Sequence, residues 1–457
     1  MVLTALLFLN ISKIARHLLL MKPSTTSWLH RLFGFDPQTM TVKKEIIGGL
    51  TTFFTLAYIL AVNPAILAET GMDYGALFTT TALSAIIATL IMAVYAKLPF
   101  VLAPGMGLNA FFAYTIVLLM GYSWQFALTA VFLEGLLFIL FTITGLRQKL
   151  VDTVPSVMHH AISAGIGLFL AFLGLKSGGV IVDNPATLIT LGDLSTPGVG
   201  LTIIGLIITS VLLVKNVSGA FLLGILLTAL VGIPLSVTSF NGIVSMPPSI
   251  APIFMQFQWG EILSIDMFIC VVTLLFTDMF DTIGTLVGTA SRAGMVNEKG
   301  EMPNMKEALL SDAIGTVAGA ATGTSTVTTF IESASGVEAG GRTGLTALTS
   351  AVLFLACIFL APVAAIIPGA ATSAALIYVG VLMLQGLKNV NFDDMDQMLP
   401  VSIMLIGMPI SGSIGHAIGL GLISYTVVKL LSGKAKDVSV LTYVISVLFL
   451  IKFFAVV

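Results

Sequence analysis

The chain has few charged residues. Asp, Glu, Lys and Arg make up only 9% of its 457 residues, whereas about a quarter is usual in soluble domains. Hydrophobic residues make up 57%, and the mean hydropathy is +1.06. These values exclude an ordinary soluble protein. They predict an all-α polytopic membrane protein, because a helix satisfies its own backbone hydrogen bonds inside lipid.

Basic runs, cysteine clusters and catalytic motifs are also missing. The net charge is −2 without a basic run, so no nucleic-acid partner is expected. Cys270 and Cys357 lie far apart in apolar runs without metal-ligand spacing, so we expect no metal site and no cofactor. A membrane enzyme would need a nucleophile with a base or a metal cluster, and no H-E-x-x-H, G-x-S-x-G or Cys/His grouping occurs. We therefore do not expect an enzyme.

Long apolar segments are abundant, and they form two series of about seven spans each. The first series covers residues 45–68, 76–95, 107–120, 125–146, 155–175, 199–214 and 220–235. The second covers residues 265–291, 307–321, 324–344, 345–367, 373–387, 399–428 and 438–457. The count for the second series treats residues 399–428 as one broken span. Two spans there would instead explain the cluster Lys429 to Lys436, so the topology at 399–436 stays open.

The two series resemble copies of each other. Gly174-Leu175-Lys176 ends the fifth span and Gly386-Leu387-Lys388 ends the twelfth. Glu69-Thr-Gly-Met72 closes the first span and Arg292-Ala-Gly-Met295 closes the eighth. An odd number of spans per copy inverts the second copy relative to the first, and inverted repeats are the architecture of secondary transporters. The distribution of Lys and Arg places the N-terminus inside.

The third and tenth spans are expected to be broken. Residues 98–104 form a short extended run before a Pro104-Gly105 break, and Asn109 falls in the first turn of the following helix. Residues 323–328 are a β-prone run before a helix that carries Glu332. Irregular backbone at membrane depth is tolerated only where it is buried in protein or lines a cavity. We therefore expect the two broken spans to face each other and to form a binding site.

We expect three carboxylates to lie near the site formed by the two broken spans. Asp278 and Asp281 are three residues apart and share one helix face, and Glu332 follows the second break. No Lys or Arg lies in a neighbouring span to neutralise them. They must be partly protonated, hydrogen-bonded, or paired with a transported cation or ligand, and a proton is the simplest choice. Glu134 and Asp312 are interpreted as residues that form hydrogen bonds between helices.

Three motifs resemble those of a known family. The sequences A-P-G-M-G-L-N-A at 103–110, T-D-M-F-D-T-I-G-T-L-V-G at 277–288 and the long run at 323–347 are similar to the azaguanine-type branch of the nucleobase–cation symporter-2 (nucleobase–ascorbate) family. The resemblance implies fourteen spans in two inverted seven-span repeats, a core and a gate domain, a homodimer and an elevator-like movement. The implied divisions are a leader at 1–44, core parts at 45–152 and 265–367, and gate parts at 153–264 and 368–457.

The resemblance also assigns residues to the site. It places Glu332 and Asp278 on a purine, with Asn109 facing them and Asp281 in a supporting or proton-linked role. Phe280 is expected to stack on the ligand, with Phe53, Phe276 and Phe330 as further candidates, and Thr326 is expected to contact it. Asp281 and Glu332 are the candidates for proton coupling.

The predicted function is proton-coupled symport of purine nucleobases, namely adenine, guanine and hypoxanthine, across the inner or plasma membrane. Uracil, xanthine or a small anion on the same fold are the alternatives, and a channel is a further one. Which purine is preferred stays open. For the movement, small residues on the fifth and twelfth spans are expected to tolerate Ala or Ser: Ala161, Ala164, Gly165, Ala374, Ala375 and Gly380.

Overall fold

The protein is mostly helical. A computed structural model describes residues 23–146, 156–235, 237–238, 242, 244–292, 294–296 and 302–455. Nine helices in these ranges are long and apolar enough to cross a membrane. The expectation of an all-α polytopic membrane protein is therefore confirmed. Residues 1–22 of the predicted leader and the predicted boundary after residue 152 lie outside the described residues.

The first half of the chain follows the predicted series closely. Its first span is interrupted at Ala57 and Tyr58, between two helices. Ser123 caps the fourth span by accepting a hydrogen bond from the Phe126 amide, and Gly145 ends that span in a left-handed conformation. The helices are α1 (Pro23–Phe33), α2 (Val42–Leu56), α3 (Ile59–Ala68), α4 (Tyr74–Ile91), α5 (Met106–Ala110), α6 (Trp124–Thr144), α7 (Ser156–Ser177), α8 (Pro197–Val214) and α9 (Ala220–Gly232). Wider π-helical turns extend α4 to Ala96 and α5 to Leu119.

The second half has the same kinds of element. Its helices are α10 (Ile265–Arg292), α11 (Met305–Thr322), α12 (Ser333–Glu338), α13 (Gly344–Cys357), α14 (Ala361–Ile366), α15 (Gly369–Met383), α16 (Met395–Ser411), α17 (Ile414–Leu431) and α18 (Val440–Ala455). Four short strands complete the fold: β1 (Leu102–Pro104), β2 (Ile181–Asn184), β3 (Leu188–Leu191) and β4 (Val327–Thr329). The strands pair antiparallel as β1 with β4 and β2 with β3.

The count of residues 399–428 as a single broken span is wrong. Helices α16 and α17 pack against each other, so the segment forms two helices rather than one. Gly412 ends α16 with φ +63°, and the side chain of Ser413 caps α17 by accepting from the His416 amide at 3.2 Å. A left-handed glycine followed at once by an N-capping serine stops one helix and starts another.

The helices pack in two sets. In the first set (α2–α6 and α10–α14), α6 runs along α10 and α11, while α13 runs along α2 and α4. In the second set (α7–α9 and α15–α18), α7 and α15 form the central pair, with α8 and α9 against α15 and with α16 and α17 against α7. Contacts of α9 with α2, and of α7 with α5 and α10, join the two sets.

Small residues of the central pair bring α7 and α15 into backbone contact. A Cβ added at Gly167 would lie 2.5 Å from the Gly380 oxygen, and one added at Gly380 would lie 2.7 Å from the Ala171 nitrogen. Backbone atoms cannot yield as a flexible side chain does. The expectation that Gly380 tolerates Ala is therefore wrong, because this glycine is needed where two helices of one set touch.

Candidate substrate site at the paired broken spans

The two broken spans meet in a short antiparallel ladder. Leu102 pairs with Thr329 and Pro104 with Val327, and all residues of both strands are buried. The Gly105 amide donates to the Thr326 oxygen at 2.9 Å, and the Phe330 amide donates to the Val101 oxygen at 3.0 Å. Each interrupted span thus satisfies the backbone of the other, which is the condition for irregular backbone inside a membrane. The predicted facing arrangement is confirmed.

Asn109 lies in the helix that follows β1. Its side chain is completely buried, and the Ser325 hydroxyl donates to its Oδ1. Its Nδ2 has no hydrogen-bond partner among the described residues. An amide nitrogen that is buried without an acceptor is costly, by about 1–3 kcal/mol. A ligand acceptor at this position would remove that cost.

Glu332 immediately precedes α12 rather than lying within it, and its side chain is partly exposed. Its Oε1 accepts a hydrogen bond of 2.7 Å from the Tyr58 hydroxyl. The Ser335 hydroxyl donates to the Glu332 main-chain oxygen at 2.6 Å and also contacts the Thr55 hydroxyl at 3.0 Å. The first span therefore holds both the carboxylate and the backbone of Glu332.

Asp278 is completely buried on α10. The Thr282 hydroxyl, one turn later, lies 2.9 Å from Asp278 Oδ1, 3.1 Å from Asp312 Oδ1 and 2.7 Å from the Thr328 hydroxyl. Thr282 therefore joins the eighth, ninth and tenth spans. Asp312 forms the interhelical contact that the sequence analysis expected.

The remaining predicted residues have different surroundings. Asp281 is partly exposed on α10, and its carboxylate interacts electrostatically with Asp312 and Glu332. The Thr326 hydroxyl is buried and donates to Glu134 Oε2 at 2.7 Å, so it joins the tenth span to the fourth. The side chain of Phe280 lies outside the described part of the chain.

The contacts of one extended segment bring the polar groups close together. Ser325 contacts Asn109, Thr328 contacts the Asp278 group through Thr282, and Glu332 follows four residues later. Three residues of extended chain cover about 10 Å. The Asn109 and Asp278 groups are therefore contacted about 10 Å apart along the tenth span, and Glu332 follows on the same segment. Such a set can accept hydrogen bonds from the N–H groups of a small polar ligand and can donate one.

Two polar residues of the first span were missed by the sequence analysis. Tyr58 bonds Glu332, and Asn63 donates to the hydroxyls of Thr81 at 2.6 Å and Thr324 at 3.1 Å. Both are buried in an apolar run, Y-I-L-A-V-N-P. Their polarity inside a span was the available signal, since buried polar side chains need partners.

Comparison with known proteins identifies relatives over most of the chain. The model of a family described as "Permease family" matches residues 43–417. The adenine permease AdeP of Escherichia coli (strain K12) is 42% identical over 93% of this chain and 95% of its own length. The guanine/hypoxanthine permease PbuO of Bacillus subtilis (strain 168) is 42% identical over 93% of this chain and 100% of its own length.

A solved structure shows the same fold at low sequence identity. The transmembrane domain of the cyanobacterial bicarbonate transporter BicA superposes with a TM-score of 0.62 at 20% identity, covering 82% of this chain and 97% of that one. At this identity the likeness concerns the fold alone.

Proposed function

The chain belongs to the Permease family, and from that premise we propose that it transports purine nucleobases across the cell membrane in symport with protons. It is a transporter and not an enzyme. The relatives that are 42% identical over nearly the whole chain are named for adenine and for guanine and hypoxanthine, and these purines are the proposed substrates.

The observation that carries the substrate proposal is the polar set at the broken spans. Purines have N–H donors and ring-nitrogen acceptors along their edges. Glu332 and Asp278 supply carboxylate acceptors, and Asn109 Nδ2 supplies a donor that has no protein partner among the described residues. These groups complement a purine edge. Two carboxylates would repel an anion, so a small anion fits this site poorly. Uracil or xanthine is the alternative on the same fold.

The contacts between helices support an inverted-repeat architecture with a core and a gate domain. Contacts of α6 with α10 and α11 have counterparts in those of α13 with α2 and α4. Contacts of α8 with α9 and α15 have counterparts in those of α16 with α17 and α7. The first set would be the core (45–152 and 265–367) and the second set the gate (153–264 and 368–457).

Two consequences follow from matching α16 and α17 to α8 and α9. The fourteen repeat spans then end with α17, and α18 follows them. The cluster of Lys429, Lys434 and Lys436 then falls on the same side as the N-terminus, in agreement with the positive-inside rule. The expected elevator-like movement would displace the core relative to the gate, within a homodimer.

Counting donors at Thr282 supports a bound proton. Three short contacts meet at this hydroxyl, which can donate one hydrogen bond and accept two. The Thr328 hydroxyl can donate to it, and it can donate to one carboxylate. A proton on Asp278 or Asp312 would supply the donor for the contact with the other carboxylate. Proton coupling would therefore involve this group together with Asp281 and Glu332.

The test is uptake and binding by the protein and by Glu332→Gln. We expect the wild type to take up labelled adenine, guanine or hypoxanthine in cells that lack their own permeases, and a protonophore to abolish accumulation. Glu332→Gln should weaken purine binding by about 2 kcal/mol, because it removes a hydrogen bond to a charged group. Glu338→Gln is the matched control, since this glutamate ends the short helix that Glu332 precedes and is exposed.

Three results would contradict the proposal. Uptake of uracil or xanthine in preference to the three purines would move the substrate to the alternative. A strict Na⁺ requirement would overturn proton coupling. Unchanged affinity in purified Glu332→Gln would remove this carboxylate from the site.

A further inference from the structure

Tyr58 lies where the first span is interrupted, between α2 and α3, and is only 1% exposed. Its hydroxyl donates to Glu332 Oε1 at 2.7 Å. The bond joins residues 274 positions apart, so it is set by the tertiary fold and not by local structure. A bond to one carboxylate oxygen fixes the rotation of the carboxylate and leaves the other oxygen to face a ligand.

The ring of Tyr58 is itself held from the other side. It packs against the ring of Phe221 on α9, with centroids 5.3 Å apart and the planes at 50°. Gly219, just before α9, has φ +76°, and a Cβ added there would lie 3.0 Å from the Phe54 oxygen. The start of α9 therefore sits directly against the end of α2. Such close packing leaves the Tyr58 side chain little freedom to turn away from Glu332.

A second residue near Tyr58, Thr55, holds the backbone of Glu332 through Ser335. One turn earlier, the Thr55 hydroxyl contacts Ser335, and Ser335 donates to the main-chain oxygen of Glu332. The backbone of Glu332 is thus held through Thr55 and its carboxylate through Tyr58. Removing the Tyr58 hydroxyl would release the carboxylate but leave its backbone in place.

We propose that Tyr58 is the positioning residue of the substrate site, holding the Glu332 carboxylate in the orientation that accepts a hydrogen bond from the nucleobase. This inference rests on the proposed function. Tyr58 acts through Glu332, and its own hydroxyl is directed to the carboxylate. The variant Tyr58→Phe removes the hydroxyl and keeps the ring against Phe221.

The test is a double-mutant cycle on the full-length purified protein, with binding of labelled adenine, guanine and hypoxanthine as the readout. We expect Tyr58→Phe to bind roughly tenfold more weakly, the scale for losing a hydrogen bond to a charged group. In the Glu332→Gln background the same substitution should have an effect of less than about twofold, because coupled residues are non-additive. A residue with only a structural role would weaken binding equally in both backgrounds.

Tyr74→Phe is the matched control. Its hydroxyl donates to the Ala364 oxygen at 3.1 Å, so this variant also loses one tyrosine hydrogen bond inside the protein. We expect it to bind purine as the wild type does. Thermal unfolding of each variant verifies that Tyr58→Phe remains folded.

The outcomes separate the inference from the function on which it rests. Weaker binding in Glu332→Gln together with wild-type binding in Tyr58→Phe would overturn the positioning role and leave the function standing. Losses that add in the double variant, or an equal loss in Tyr74→Phe, would do the same. Absence of purine binding in the wild type would overturn the proposed function and the positioning role with it.

Discussion

Replacing Glu45 with Ala should destabilise the protein strongly. Glu45 lies in the first turn of α2 and is 1% exposed. Its carboxylate accepts from the amides of Arg342 and Thr343, both at 3.1 Å, and from the hydroxyls of Thr343 at 2.9 Å and Thr346 at 2.6 Å. These four bonds join the start of the first span to the start of α13.

The magnitude follows from the donors that would be left without an acceptor. Thr343 and Thr346 are buried, so water cannot readily replace the lost carboxylate, whereas Arg342 is partly exposed. Each buried donor that is left without an acceptor costs about 1–3 kcal/mol. The Thr343 amide and two buried hydroxyls lose their acceptor, so we expect Glu45→Ala to lower the free energy of unfolding by about 4 kcal/mol. Glu45→Gln keeps one carbonyl acceptor, so it should cost about half as much.

The measurement is unfolding of the purified protein in mixed micelles with increasing dodecyl sulfate. Glu307→Ala serves as control, because Glu307 is likewise the acid in the first turn of a helix, α11, but is only partly buried. Its replacement should cost no more than about 1 kcal/mol. Equal stabilities of the Glu45→Ala and Glu307→Ala variants would refute the reasoning, since the four bonds would then contribute nothing beyond a helix-end charge.

Two further predictions concern the packing of α7 against α15 and the proposed proton coupling. Gly380→Ala should lower the free energy of unfolding by about 1–3 kcal/mol, because the added Cβ meets backbone atoms of α7. The control is Gly165→Ala, whose Cβ would meet the end of the Met408 side chain. It should lower the free energy of unfolding less in the same titration. Asp281→Asn should leave exchange of labelled purine across proteoliposomes largely intact while abolishing accumulation against a gradient. Undiminished accumulation in Asp281→Asn would assign the proton to Asp278 or Asp312, which both contact Thr282. Asp312→Asn should then abolish accumulation.

Much of the fold could be predicted because apolar length and helix breakers are local signals. The breaks at Pro104-Gly105 and near Gly323 follow from residues that cannot continue a helix. That the two breaks face each other followed from repeat logic, which local propensity alone does not supply. The sequence also contains a signal that divides residues 399–428, since Gly412 can end a helix and Ser413 can cap the next one. The long apolar run around these two residues instead favours a single span.

The sequence indicates the polar residues that we propose for the site, but not all of the residues that contact them. Asp278, Asn109 and Glu332 stand out as polar groups in apolar runs. Tyr58 bonds Glu332 across 274 residues, and Thr282 bonds Asp278 in its own helix and Asp312 in the next. The spacing of four residues indicates the Asp278 contact. No spacing in the sequence indicates the other two. Thr326 was assigned to the ligand from its position in the motif alone. Its hydroxyl instead contacts Glu134.

The hydroxyl groups of residues 324–329 (T-S-T-V-T-T) are explained by their contacts with other spans. Thr324 bonds Asn63 of the first span, Ser325 bonds Asn109 of the third, Thr326 bonds Glu134 of the fourth and Thr328 bonds Thr282 of the eighth. Successive residues of an extended chain point to opposite faces, so one short extended run can reach helices on both sides. A regular helix would have used its polar groups internally and offered fewer of them to its neighbours. The tenth span is therefore broken where the chain connects four other spans.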